Sequence, residues 1–134
     1  MCLDNKTIKL VFDKKIDNLN YIKKRLYSKL SPILKNKQRI FDIIFIINEL
    51  YTNFLKHAKN QKNEYFSLEI KINSNIYLEV IYKDLNFENI KIKKPDLNSL
   101  PSNGYGLFMI KQMSKHLYIT YNTIKKTLTF KITL

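Results

Sequence analysis

Two adjacent stretches of alternating apolar and polar residues constrain the fold of this chain most strongly. Residues 64–72 and 75–83 carry apolar side chains at every second position, which is the period of a β-strand with one buried face. Asn73-Ser74-Asn75 between them is typical of a turn, so the two stretches predict a β-hairpin. Because the other face of each strand is largely polar, the hairpin is expected in a sheet that is covered on a single side.

The rest of the chain supplies the cover and the remaining strands. Apolar residues from Leu19 to Ile33 recur at steps of three and four, which predicts an amphipathic helix with Asp17 or Asn18 as its N-cap. A longer helix is predicted over residues 37–59. Further segments are predicted as strands at 7–12, 117–121 and 127–133, and as a short helix at 104–114. This order predicts an α+β two-layer sandwich, with a mixed, mostly antiparallel sheet covered by helices on one face.

Length and composition indicate a single domain over residues 1–134. Cys2 is the only cysteine, so an intrachain disulfide is excluded. The polar residues that follow Met1 do not resemble a signal peptide. The apolar run Ile43–Ile47 is far shorter than the roughly 20 residues that cross a bilayer. We therefore expect a cytoplasmic protein with no membrane association.

The net charge of +13 allows two interpretations. A strongly basic chain is typical of nucleic-acid binders. However, Arg25 and Arg39 are the only arginines among the 24 basic residues, and arginine is the better residue for recognising phosphates and bases. Lysine, asparagine and isoleucine together are what an AT-rich genome encodes, so coding bias is the favoured interpretation and nucleic acid is not expected as a partner.

One edge of the second predicted helix carries polar residues beside its apolar stripe. Glu49, Asn53 and His57 are spaced by four, so they stack along the helix. A glutamate can act as a general base on a hydroxyl, and an asparagine carbonyl oxygen is a suitable ligand for Mg²⁺. Spacing alone favours a simpler interpretation, in which these residues form hydrogen bonds at the edge of the core, and His57 is assigned to that role.

The two glycines of the chain, Gly104 and Gly106, lie together where a long irregular segment enters the last predicted helix. Glycine allows a close approach of backbone to a ligand, and a helix N-terminus offers free N–H groups to a phosphate. The motif is neither a Walker A loop, which needs Gly-Lys-Ser/Thr, nor a Rossmann fingerprint. Residues 86–103 before it lack a clear period, and so long an irregular segment predicts either a functional lid or a disordered loop.

Together these segments resemble the GHKL (Bergerat-fold) ATPase superfamily over nearly the whole chain. The run from Glu49 through Asn53 and His57 to Ala58 is similar to the N box. Asp84 stands where the G1 aspartate is expected. The segment Gly104-Tyr105-Gly106-Leu107 resembles the G2 box. Glutamate at position 49 makes the chain most similar to the anti-sigma-factor serine/threonine-protein kinases.

The resemblance implies roles for these residues. Glu49 would activate a serine hydroxyl, Asn53 would hold Mg²⁺, and Asp84 would bind the adenine amino group of ATP. The backbone that would lie on the phosphates belongs to Gly104, Tyr105, Gly106 and Leu107, under the 86–103 lid. The resemblance also implies a homodimer that sequesters a sigma factor and phosphorylates a STAS-like anti-sigma antagonist on serine.

The G1 region departs from the family pattern. Asp84 is followed by Leu85, Asn86, Phe87 and Glu88, with no glycine. Asn86 adopts left-handed backbone more readily than most residues and is the candidate substitute. Three hypotheses therefore remain: an ATP-dependent serine kinase that binds a regulator, a degenerate non-catalytic binding module on the same fold, and a basic nucleic-acid binder.

Binding to duplex DNA tests the interpretation of the charge. If coding bias accounts for the +13, the chain should bind duplex DNA without sequence preference and with a Kd of about 1 μM or weaker at physiological salt. A gel-shift series over unrelated duplexes measures this. A tight complex that selects one sequence would support the nucleic-acid hypothesis instead.

Overall fold

A computed structural model describes residues 5–13, 18–57, 65–83 and 105–134. None of the helices in these ranges is both long and apolar enough to cross a membrane. The elements in chain order are β1 (Lys6–Phe12), α1 (Leu19–Leu30), α2 (Lys37–His57), β2 (Tyr65–Ile72), β3 (Ile76–Lys83), α3 (Tyr105–Met113), β4 (His116–Asn122) and β5 (Thr127–Thr133). The predicted helices and strands are confirmed, and their ends differ from the predictions by a few residues at most.

The strands form one sheet in the order β1-β2-β3-β5-β4. Every neighbouring pair of these described strands is antiparallel, so the predicted mixed sheet is wrong and the antiparallel character is complete. The connection from β1 to β2 explains the difference. A single crossover helix joins parallel neighbours, whereas the succession of α1 and α2 returns the chain to the end of the sheet at which β1 stopped.

The sheet is covered on one face, as predicted. The residues of β2 and β3 that face the helices are buried, and they lie opposite each other in register, as Leu68 does with Val80. Glu69, on the other face, forms ion pairs with Lys9 at 3.8 Å and with Lys71 at 3.2 Å. The alternation seen in the sequence thus separates an apolar core from a charged outer surface.

Helix α1 begins where its sequence predicts. The side-chain oxygen of Asn18 accepts a hydrogen bond from the backbone N–H of Tyr21 at 2.9 Å, which makes Asn18 the N-cap. Asp17, the other candidate, lies outside the described residues. The helix ends at Leu30, although the C-cap Ser31 keeps αR backbone (φ −59°, ψ −36°) before Pro32 and donates its N–H to the carbonyl oxygen of Tyr27.

Aromatic side chains fix α2 against the sheet. The rings of Tyr51 and Phe66 meet edge to face with centroids 5.1 Å apart, and those of Phe54 and Tyr82 lie 5.4 Å apart. The hydroxyl of Tyr82 donates a hydrogen bond to the backbone carbonyl oxygen of Leu50. This bond joins β3 to α2 at the residue next to Glu49. It therefore restricts both the position of α2 over the sheet and the rotation of α2 about its own axis.

The bond from Tyr82 to Leu50 predicts a pH-dependent contribution to stability. Replacing Tyr82 with Phe should lower the free energy of unfolding by about 1 kcal/mol at pH 7, because one buried hydrogen bond is lost. Burial raises the pKa of the Tyr82 hydroxyl well above its ordinary value. Above about pH 10 the unfolded chain therefore releases this proton while the folded chain retains it, which destabilises the wild type.

The stability difference between wild type and Tyr82→Phe should therefore shrink as the pH rises beyond about 10, by up to about 1.4 kcal/mol per pH unit. Urea unfolding of both proteins between pH 7 and pH 11 measures it, and the comparison cancels the titration of the lysines. A difference that stays constant over this range would show that Tyr82 does not keep its proton in the folded state.

Candidate functional site

The structure describes half of the predicted site. Glu49 and Asn53 lie on α2, while Tyr105, Gly106 and Leu107 form the first turn of α3. The other predicted positions lie outside the described residues: Ala58, Asp84, Asn86, Gly104 and the 86–103 lid. The same applies to the side chains of His57 and Tyr105.

The carboxylate of Glu49 lies directly against the backbone of Gly106. A Cβ atom added to Gly106 would stand 2.2 Å from Oε2 of Glu49 and 3.1 Å from its Cδ. A Cβ fits in that space only if the flexible end of Glu49 moves away, so the absence of a side chain on Gly106 is what allows this close approach. The candidate base and the glycine of the candidate phosphate motif, far apart in sequence, are thus in contact.

The position of α3 follows from its own apolar residues. Leu107 and Ile110 are buried in the core that α2 shares with the sheet. This packing holds the N-terminal turn of α3 beside the edge of α2. The first N–H groups of a helix have no partner within it and attract negative charge. The Glu49 carboxylate therefore lies in the positive field of α3, at a place that also suits a phosphate.

Asn53 lies one helical turn beyond Glu49, and both side chains are half-buried. In the described ranges no three His, Cys, Asp or Glu side chains come together as a metal site. A single amide oxygen is a weak site alone, but Mg²⁺ in phosphoryl-transfer proteins takes few protein ligands and completes its shell with phosphate oxygens and water. The donors on this edge therefore suit magnesium only together with a nucleotide.

A further polar residue of α2, Asn48, directly precedes Glu49 and is not among the residues selected for the site from the sequence. The structure half-buries Asn48 and leaves its Oδ1 atom buried without a hydrogen-bond partner in the described chain. Phe41 and Phe45 precede it on the same outer side of α2. Two phenylalanines at steps of four and three before Asn48 are the signal that this face is not an ordinary solvated one.

Comparison of the chain with protein-family models and with curated proteins gave no match. The functional assignment must therefore be drawn from the residues of this chain and their geometry.

The contact between Glu49 and Gly106 predicts energetic coupling between the two positions. In Gly106→Ala the new Cβ should displace the flexible end of Glu49 and leave the backbone in place. The higher helix propensity of alanine, worth up to about 1 kcal/mol, should then offset the lost contact of the carboxylate with α3. The variant should stay within about 1 kcal/mol of wild type in urea unfolding.

The same substitution in a Glu49→Ala background should be more stabilising, because no carboxylate has to move. A double-mutant cycle measures the difference, for which we expect at least about 0.5 kcal/mol. If Gly106→Ala has the same effect in both backgrounds, the two residues are not in contact in solution.

Proposed function

We propose that this chain is a Bergerat-type ATP-binding regulator that phosphorylates a serine of a partner protein. The observation that carries the proposal is the contact between Glu49 and Gly106. It joins a residue able to take a proton from a hydroxyl to a helix N-terminus able to bind a phosphate. Phosphoryl transfer needs these two functions next to each other, because the attacking oxygen and the transferred phosphoryl group must meet.

The fold supports a nucleotide site at this place. The hydrogen bond from Tyr82 to Leu50 joins the C-terminal end of β3 to α2. Strand β3 ends at Lys83, one residue before Asp84. The G1-like segment therefore follows a strand that is bonded to α2 at the residue after Glu49. Asp84 is proposed to bind the adenine amino group, with Asn86 in place of the missing glycine.

The described residues of α2 and of the first turn of α3 fit Mg-ATP in their chemistry. Bound ATP would supply the phosphoryl group, and Mg²⁺ would neutralise its charge. Asn53 offers an amide oxygen to the metal, while the first turn of α3, with Gly106 and Leu107, offers backbone N–H groups to the phosphates. The proposed backbone contacts extend to Gly104 and Tyr105.

The role of Glu49 in the reaction follows from its position. Its carboxylate accepts the proton of the serine hydroxyl as the serine oxygen gains the phosphoryl group and ADP leaves. The half-buried setting of Glu49 keeps the carboxylate close to α3, so the base is held where the phosphate binds. In this proposal the protein acts in the cytoplasm as a homodimer that sequesters a sigma factor, and its substrate is a STAS-like anti-sigma antagonist.

A non-catalytic binding module on the same fold is the second candidate. Glu49 already lies in the favourable field of α3 without any substrate, so its position also makes sense as a purely structural one. The absence of glycine after Asp84 favours this candidate as well.

Substitutions on α2 separate the two candidates. Glu49→Ala should leave ATP binding intact and slow phosphoryl transfer about 10²–10⁴-fold, because a general base acts on the hydroxyl and not on the nucleotide. Asn53→Ala should weaken the magnesium–nucleotide complex as well. Asp42→Ala is the matched control, because this half-buried acid lies on the same helix and accepts a hydrogen bond from Gln38.

The assay follows labelled phosphate onto the antagonist's serine, and calorimetry follows ATP. The kinase proposal fails if wild type binds both the antagonist and Mg-ATP but transfers nothing over hours. The non-catalytic module would then be the better account.

The adenine contact is tested separately by Asp84→Asn. The change replaces an acceptor with a group that can donate toward the adenine amino group, so it should weaken ATP binding by about 2 kcal/mol. Calorimetric titration with ATP measures this loss. Unchanged affinity would place the nucleotide elsewhere or remove it from the proposal.

A further inference from the structure

A groove runs between α1 and α2 on the side that faces away from the sheet, with a volume of about 570 Å³. Its apolar part is formed by Tyr27, Phe41 and Phe45, which are 42%, 54% and 37% exposed. Lys23 and Lys24 of α1 form one wall. Single exposed apolar residues are common on protein surfaces, but three exposed aromatic side chains grouped in one groove are typical of a binding surface.

Asn48 lines the same groove, and its Oδ1 atom has no hydrogen-bond partner in the described chain. An unmatched polar atom at a buried position is unfavourable until a donor reaches it. The terminal torsion of asparagine is soft, so the amide can turn toward a donor placed in the groove. The groove therefore combines apolar contact area with one unsatisfied polar group.

The charged side chains that line the groove, Lys23 and Lys24, are both basic. Between residues 18 and 41 the sequence holds seven basic residues and no acidic one: Lys23, Lys24, Arg25, Lys29, Lys35, Lys37 and Arg39. Among the described residues neither Lys23 nor Lys24 forms an ion pair. This concentration of charge repels a second copy of the same face and attracts an acidic partner.

We propose that this groove binds an acidic amphipathic helix of a partner protein. Such a helix would place apolar residues at i, i+3, i+4 and i+7 against the aromatic side chains and acidic residues beside Lys23 and Lys24. A duplex nucleic acid would match the charge, but its phosphates would leave the aromatic floor exposed. The span from Phe41 to Asn48 is about 10 Å at the helical rise, so two to three turns of the partner suffice.

This binding does not depend on the proposed kinase activity. Phe45 and Asn48 face the groove beside α1, whereas Glu49 faces Gly106 of α3. At 3.6 residues per turn, Phe45 lies about 40° and Asn48 about 100° around α2 from Glu49, so the two surfaces are adjacent on the helix but face different neighbours, α1 and α3. Loss of one by substitution should therefore leave the other intact.

The probe is a synthetic acidic peptide of about 16 residues, with Leu and Phe at the helical positions given above and Glu at most others. A peptide with Lys in place of each Glu is the matched control. Titration of the ¹⁵N-labelled full chain should shift the amide resonances of Phe41, Phe45 and Asn48 with the acidic peptide only. Raising NaCl from about 50 to about 500 mM should weaken the complex.

Two sets of variants test the groove. Phe41→Ser with Phe45→Ser should weaken the acidic peptide about tenfold or more, while Tyr118→Ser, on the uncovered face of the sheet and 62% exposed, should not. Lys23→Glu with Lys24→Glu should shift the preference toward the basic peptide. All of these positions are exposed, and thermal unfolding of each variant confirms that it is folded.

The proposal is overturned if neither peptide binds, or if both peptides bind equally well and independently of salt. It is overturned as well if a duplex of about 16 base pairs shifts the groove resonances at a lower concentration than the acidic peptide does, because the surface would then be a nucleic-acid site. It is also overturned if sedimentation shows a dimer that the Phe41 and Phe45 substitutions abolish, because the groove would then be an interface between copies of the chain.

Discussion

The seating of α2 on the sheet is the constraint on which the rest of this structure depends. The rings of Tyr51 and Phe54 pack on those of Phe66 and Tyr82, and the Tyr82 hydroxyl bonds to the backbone of the helix itself. Isoleucine and leucine side chains, together with these aromatic rings, supply the buried area, while the hydrogen bond is directional and restricts the rotation of the helix. A helix held by apolar contacts alone could turn by some degrees at little cost.

The rotation of α2 determines which neighbouring helix each of its other sides faces. One side turns Glu49 toward α3, where the carboxylate lies in the field of a helix N-terminus. The adjacent side turns Phe45 and Asn48 toward α1, where Lys23 and Lys24 line an apolar groove. One helix therefore carries residues of both the candidate site and the proposed binding groove.

Local sequence patterns predicted the elements of the fold because those elements obey local rules. Alternation identified β2 and β3 with bounds within one residue of the observed ones, and Asn18 was recognisable as a cap because its side chain bonds only three residues away. The antiparallel pairing of every described strand was not predicted, because register and direction depend on how α1 and α2 route the chain.

The candidate site was predictable only in part, for the same reason. The spacing of Glu49 and Asn53 places them on one edge of a helix, but no periodicity indicates which neighbour that edge meets. The contact with Gly106 joins residues more than fifty positions apart, and a close approach of this kind is visible only once α3 is in place. Asn48 was not selected from the sequence, because its partial burial depends on residues of α1 that line the same groove.

The most direct test of the central claim is an NMR titration of the full chain with Mg-ATP. If Glu49 and Gly106 border a nucleotide site, the amide resonances of Asn53, Gly106 and Leu107 should shift saturably. The shifts should be larger with Mg²⁺ present than with a chelator, because Asn53 is assigned to the metal. Resonances of Phe41 and Phe45 in the groove should stay in place. No saturable shift at Gly106 and Leu107, or shifts confined to the basic groove, would contradict the account.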